Sequence, residues 1–386
     1  MTPGQRELWR ARAYLSRVAE PPAPAVAALI TEVGPVRAAR LVAAGQVPEP
    51  VAAETAARHT DDRAENDLAA IAALGGRLVV PEDDEWPAEA FACFATPTAL
   101  ADQRWRSPVA LWARGAARLD DFGDRAVAVV GARAATGYGE HVAADFGYGL
   151  AEAGIAVVSG AAFGIDGAAH RGALTAQGPT VAVQACGLDR PYPAGHQRLL
   201  DQVARQGAVI SEYPPGVRPA RYRFLVRNRL IAALAAGTVV VEAGVRSGAR
   251  RTAAAAAALG RIVMAVPGPI TSALSVGCHL LVRDEQALLV TRVAEVVEAV
   301  GRIGTDLAPA LSTPLRGTDG LSPEQLAVYE ALPARAPRHP EQLTRDSGIP
   351  LHRVRAVLPL LELHGLVGCG VTGWYRLSAE RGRGGA

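Results

Sequence analysis

The chain has no lysine. All 40 of its permanently basic side chains are arginine, against 38 Asp and Glu in 386 residues. A formal charge of +2 excludes a protein that acts through one global basic field, so the position of each arginine matters more than the total. The 40 glycines and 27 prolines, beside abundant alanine, point to a coding bias toward Arg, Ala, Gly and Pro rather than to DNA binding. Cysteine is scarce too. Cys93, Cys186, Cys278 and Cys369 stand alone, and no CxxC or Cys/His spacing offers a structural zinc site. Such isolated thiols suit a reduced, cytoplasmic protein. No apolar run reaches the length of a membrane span, and the opening MTPGQRELWRARAYLSRV lacks a secretory apolar core. The expectation is a cytoplasmic protein with no membrane association, no metal and no cofactor.

What is present is organised in blocks. Residues 1–70 read as helices: Leu8, Ala11, Leu15 and Val18 share one helical face, and two short helices meet at Val33-Gly34-Pro35. That hairpin can offer backbone N–H groups to a DNA phosphate or simply pack helices. Residues 71–106 are a transition with a strand-like LVV and an acidic turn. From 107 the pattern changes. Short apolar runs at 126–130, 155–159, 180–184, 208–211, 238–242, 262–266 and 287–290 alternate with Ala-rich helical stretches at 137–153, 167–177, 225–236 and 249–259. That is the rhythm of a mostly parallel sheet. Gly154, Gly178, Gly237 and Gly260 fall where helices should stop. Residues 266–284 read as a Pro/Gly turn and Ser-rich loop. Residues 301–320 read as a linker, 321–378 as three helices and two short strands in a winged-helix pattern, and 379–386 as a flexible tail. His352, Arg353 and Arg355 open the last helix of that module, at 350–364, after the turn at Ser347-Gly348. It is either a DNA reader or a partner-docking module.

Four phrases carry the chemistry: GARAATGYG (131–139), SGAAFGID (159–166), FLVRNR (224–229) and VEAGVRSG (241–248). They supply glycine, serine and arginine at strand ends, where an open α/β sheet meets phosphate. The first is no GxGxxG, and the second strand ends in Ser159-Gly160 where a dinucleotide site needs an acid, and both count against NAD. Gly131 ends a strand, Arg133 projects from the loop, and N–H groups near Thr136 and Gly137 face a phosphate. Ser159 and Gly160 are expected to turn hydroxyl and N–H toward the crevice. Gly164 permits close backbone approach, and Asp166 is expected to cap a helix starting at Gly167, with His170 one turn on. Nothing in the spacing joins Ser159, Asp166 and His170 into a hydrolytic set, so no catalytic residue is assigned. Arg221, Arg223, Arg227 and Arg229, with Asn228 and two aromatics interleaved, suit unstacked bases and phosphates. Ser247, Gly248, Arg250 and Arg251 add a helix start and positive charge, and Glu242 is expected to orient an arginine.

The ordered phrases G-x-R, SG…GID..AH.GAL, Gly187…Asp189…Tyr192-Pro193, SEYPPG (211–216), RNR, VEA…SG and VPG resemble the DNA-processing protein A family, also called DprA or Smf. The resemblance covers residues 107–300. It implies an extended Rossmann-like parallel-sheet core, a sterile-alpha-motif-like helical domain before it and a winged helix after it. It further implies single-stranded DNA binding, dimerisation through the sheet domain, and delivery of the RecA recombinase onto incoming DNA in natural transformation. By motif position it assigns DNA contact to Arg133, Ser159, Gly160, Gly164, Asp166, Arg227, Asn228 and Arg229, to which the reading of the loops adds Gly131. Three departures stand out. Phe163 replaces an arginine of the family phrase SG.ARGID, Ala134 replaces a frequent lysine, and SGARRTA supplies Arg250 and Arg251 where the family has SG.L.TA. A phosphoribohydrolase-type enzyme and a regulator acting through the winged helix are the competing readings. The former lacks its PGG.GT..E segment.

Overall fold

The computed structural model describes residues 2–122, 125–285, 287–302, 304–309, 317–334 and 336–377. The expected tail at 379–386, and residues 303 and 310–316 of the expected linker, lie outside these. The chain divides into two compact units, Met1–Pro309 and Ala310–Ala386.

The first unit is a mixed α/β structure on a nine-stranded sheet. Its strands are β1 (Gly76–Val79), β2 (Leu111–Arg114), β3 (Ala126–Val130), β4 (Ala156–Ser159), β5 (Thr180–Gln184), β6 (Ala208–Ser211), β7 (Gly237–Val240), β8 (Ile262–Ala265) and β9 (Leu288–Leu289). Their order is β1-β2-β6-β5-β4-β3-β7-β8-β9. β3 through β9 are joined in parallel, and β1 and β2 add an antiparallel edge. The stretch 71–106 therefore contributes a strand to the sheet.

The apolar runs lack alternation because both sheet faces are covered. In β3, Ala126, Ala128 and Val130 enter one core with Leu230, Ile231 and Ala253, while Val127 and Val129 enter another with Phe146, Leu150 and Ile165. Each valine fully withdrawn from water contributes about 1.5–3 kcal/mol. Close helix packing uses glycine: a Cβ on Gly147 would lie 2.2 Å from the Ala169 carbonyl oxygen, and one on Gly172 2.0 Å from that of Ala144. The chain takes the left-handed region at Gly154 and Gly260, as expected of helix stops. Before Gly178 that conformation falls on Gln177 (φ 56°), and Gly237 is already the first residue of β7. The Ser-rich loop of 266–284 closes into a helix, Val276–Asp284, packed through Cys278 and Leu281.

The N-terminal helices belong to this unit. Thr2 and Gln5 form a reciprocal cap on helix Pro3–Val18. That helix is fastened to its surroundings by Arg12, which bonds Glu82 and the Val109 carbonyl, and by Arg17, which bonds Asp67 and the Pro215 carbonyl. The second unit holds helices Pro323–Ala331, Pro340–Ser347 and Leu351–Leu363 and the hairpin β10 (Val367–Gly370) and β11 (Gly373–Arg376), around Val328, Leu343, Val354, Leu358 and Leu361. This arrangement is consistent with a winged helix. No helix among the described residues is long and apolar enough to cross a membrane.

Candidate functional site

The strand order reverses direction at β3, whose neighbours β4 and β7 lead to opposite sides of the sheet. In open parallel sheets the crevice at the carboxyl ends of such strands is where ligands bind. Here it is a cavity of about 560 Å³, lined by Gly131 and Arg133 after β3, Ala162 and Asp166 after β4, Phe224, Arg227 and Asn228 from helix Arg221–Ala233, and Arg246, Ser247, Gly248 and Thr252 after β7. Three of the four sequence phrases thus converge with helix Arg221–Ala233.

The loop after β3 is held by an acid. Glu242 accepts the Thr136 hydroxyl at 2.5 Å and the Thr136 N–H at 2.9 Å, and the Thr136 hydroxyl oxygen in turn accepts Gly139 N–H. Glu242 is therefore a clasp between two strand ends, not the partner of an arginine as the sequence suggested. A Cβ at Gly139 would meet its carboxylate at 2.3 Å, so this glycine of the YG phrase makes room for the clasp.

Arg227 is 95% buried yet lines the cavity. One terminal nitrogen donates to the Val183 carbonyl at 2.6 Å, and its Nε has no hydrogen-bond partner. Burial lowers its pKa to about 10, against the pull of Asp166. Asp166, also buried, has its pKa raised by desolvation, opposed by Arg227. Its carboxylate accepts Gly160 N–H at 3.1 Å, and it lies inside helix Ile165–Thr175 rather than capping it. Phe224 carries both arginines: Arg133 lies 5.2 Å and Arg227 5.9 Å from its ring centre. A Cβ on Gly160 would lie 2.1 Å from the Arg227 guanidinium, so that glycine is required by the arginine.

Other expected residues go elsewhere. The Ser159 hydroxyl donates to the Val129 carbonyl at 2.6 Å and does not face the crevice, and the Gly160 N–H is taken by Asp166. Arg229 is buried in a two-pronged pair with Glu212 at 2.7 and 2.8 Å. Arg223 is bound to Glu20 at 2.8 and 3.0 Å. Arg250 bonds Glu285 and the Val245 carbonyl. Arg221 and Arg251 are exposed. Gly164 takes φ 71° against the Ala132 and Arg133 carbonyls, where any side chain would clash. Phe163 is half exposed and meets His196 edge to face at 4.6 Å. Ser247 caps helix Gly248–Ala258 through the Ala249 N–H. His170 is fully buried and bonded to Thr180 at 2.7 Å, remote in its bonding from Ser159 and Asp166. In the second unit, Arg353 pairs with Glu324 and Arg355 with Glu341.

Sequence reasoning missed Phe224 as the common platform, the Thr136–Glu242 clasp, and the acids that engage Arg223 and Arg229. Glu20 lies 203 residues from Arg223, beyond any local signal. Glu212, at a strand end beside a buried-looking RNR, was the readable one.

A crevice of this form in an α/β protein, rimmed by arginines and a capped helix start, has the charge and the helix-start N–H groups that suit an anion. The family described as DNA recombination-mediator protein A matches residues 77–301, and the DprA winged helix domain matches 312–369. The chain belongs to the DNA recombination-mediator protein A family. It is 55% identical over 374 residues to a putative DNA processing protein DprA of Mycobacterium tuberculosis, spanning 97% of this chain and 96% of the relative. Protein Smf of Escherichia coli is 35% identical over 306 residues, 78% of this chain and 77% of that one. The crystal structure of DNA processing protein A from Streptococcus pneumoniae superposes with a TM-score of 0.59 at 31% identity, over 76% of this chain and 95% of that chain.

Proposed function

We propose that this protein binds single-stranded DNA in the β3–β4–β7 crevice of a Rossmann-like core, as a cytoplasmic homodimer, and helps deliver the RecA recombinase onto DNA that enters the cell in natural transformation. The observation that carries the reading is Arg227. A guanidinium this deeply buried, with its Nε unpartnered and no carboxylate at ion-pair distance among the described residues, is costly; the pull of Asp166 offsets only part of the burial, and a further anion would complete it. A phosphate in the cavity would do so. Arg133 and Arg246 on the rim would add neutralising charge, Asn228 a polar contact, and Phe163 an exposed ring for a base. Backbone phosphates recur along any strand, so binding of this kind is indifferent to sequence. The isolated cysteines, three of them buried, fit a reducing compartment.

The test is fluorescence anisotropy of the full-length protein with a labelled, unstructured single strand, across a salt series and with duplex competitor. The Arg133→Ala/Arg246→Ala variant serves as control. Salt-dependent, single-strand-selective binding that the variant loses is the expected result. Binding unchanged in the variant, or absent from the folded wild type, would overturn the reading.

A further inference from the structure

A second cavity, of about 650 Å³, adjoins the crevice. It is lined by Trp105, Arg104, Leu225, Arg251 and the alanine face 254–258 of helix Gly248–Ala258. Leu225 belongs to the walls of both cavities and is 44% exposed, so it forms the ridge between them. The two cavities also share a helix: its first turn borders the crevice through Gly248 and Thr252, and its later turns floor the second cavity.

The chemistry of the second cavity suits a nucleotide. Trp105 is partly exposed and its ring carries the Arg104 guanidinium 5.2 Å from the centroid. Arg251 is exposed and without a partner among the described residues. The one acid in the wall, Asp102, is held by Arg104 through bonds of 2.6–3.1 Å. Its charge is already met, and the uncompensated charge in the wall is that of Arg251. The floor is methyl groups, which leave width for a planar base without competing for its polar edge.

Resting on the reading above, we propose that the bound strand does not end in the crevice. It crosses the Leu225 ridge into this cavity, where a nucleobase stacks on Trp105 and its phosphate meets Arg251. A crevice of about 560 Å³ accommodates only a short stretch, whereas single-strand-binding grooves track about 4–16 nucleotides per OB fold. A path over Leu225 gives this protein a longer footprint from residues already in place.

The proposal separates by strand length. The full-length protein is titrated with thymidine strands of about three and about twenty nucleotides, which bracket the usual site sizes of about 4–16. Trp105→Leu, which keeps an apolar side chain against the core, and Arg251→Gln should each bind the short strand like the wild type and lose about tenfold on the long one. Arg133→Ala should lose affinity for both. A long strand carrying 5-bromouracil should crosslink on irradiation to the peptide that contains Trp105. Unchanged long-strand affinity in both cavity variants, or crosslinks that avoid that peptide, would overturn the proposal while leaving the crevice intact. If Arg133→Ala also binds both strands like the wild type, the crevice reading fails as well.

Discussion

Arg227 and Arg229 stand two residues apart on one helix and face opposite surroundings. Arg229 closes a buried pair with Glu212 at 2.7 and 2.8 Å, and its Nε also bonds the Arg106 carbonyl at 3.0 Å. Arg227 looks into the crevice with no carboxylate bonded to it. A helix turns about 100° per residue, so two steps carry a side chain through about 200°, to the opposite face. The RNR phrase thus joins an arginine held in a buried ion pair to one that lines the crevice.

The pair predicts a separation of effects. Arg229→Ala leaves Glu212 buried without its partner and should lower stability by about 3–5 kcal/mol. In urea denaturation the midpoint should fall clearly, while folded variant retains wild-type affinity for a single strand. A variant as stable as the wild type would mean that Arg229 is not held as described.

The rim arginines should behave in the reverse sense. Arg133 and Arg246 are exposed and make no ion pair among the described residues. Replacing either with alanine should change stability little. It should reduce the slope of log affinity against log salt by about 0.7 for each phosphate that is no longer neutralised. A slope measured over several salt concentrations checks this, and an unaltered slope removes that residue from the strand's path.

The clasp on the crevice loop is testable by a near-isosteric change. Glu242→Gln keeps one acceptor and turns an NH2 group toward one of the two Thr136 donors. A buried, unsatisfied donor pair should destabilise by about 1–3 kcal/mol. Strand affinity should also drop, because Arg133 is carried by the loop that Glu242 fixes. Retained stability would mean that the loop holds its shape without the clasp.

Much of this was legible in the chain. The strands are runs of Val and Ala buried on both faces, and such runs need no distant partner to be recognised. Gly164 marked a close approach and has one, the Ala132 carbonyl; Gly131 and Gly160 prove equally confined, by Ile165 and Arg227, though nothing in the sequence marked them so. What stayed hidden was pairing at a distance. Arginines 223, 229 and 250 looked alike in sequence, but each is engaged by an acid that the fold brings from elsewhere: Glu20, Glu212 and Glu285. In a chain whose basic residues are all arginine, residue type carries little information, and the acids decide which arginines are left for a ligand. Ser159 was misread for a related reason. A hydroxyl at a strand end can face either the crevice or a neighbouring strand, and here the Val129 carbonyl takes it.

His170 gives the fold a definite pH dependence. Its Nδ1 bonds the Thr180 hydroxyl, which itself donates to the Val157 carbonyl, so Nδ1 carries the proton of the neutral ring. Burial, reinforced by His196 and nearby arginines, lowers its pKa to about 3. In the unfolded chain the imidazole titrates near its usual value of about 6.5. The unfolded state therefore binds the extra proton first as pH falls. Stability should be unaffected by this group above about pH 6.5 and decline below it, by about 1.4 kcal/mol per pH unit. Asp166, whose pKa is raised by burial, acts in the opposite sense, but it is common to the wild type and a His170 variant, so the difference between the two reports His170. His170→Gln removes the ionisable group. Denaturation midpoints from pH 7.5 down to about 5 should fall more steeply for wild type than for this variant, and parallel curves would mean that His170 is protonated in the folded protein.

Phe163 is where the chain departs from its family's phrase, and its position makes the departure measurable. It is half exposed at the crevice loop, propped against His196. An arginine there would point a fifth guanidinium at the strand beside Arg133, Arg227, Arg246 and Arg251, without disturbing a packed core. Phe163→Arg should bind a single strand more tightly at low salt, with the salt slope increased by about 0.7. Phe163→Ala should instead weaken binding about equally at all salt concentrations, because a stacked ring is removed rather than a charge. The two substitutions at one site thus distinguish a ring that stacks on a base from a ring that merely covers His196. If neither changes affinity, position 163 lies off the strand's path, and the family's arginine has no functional counterpart in this protein.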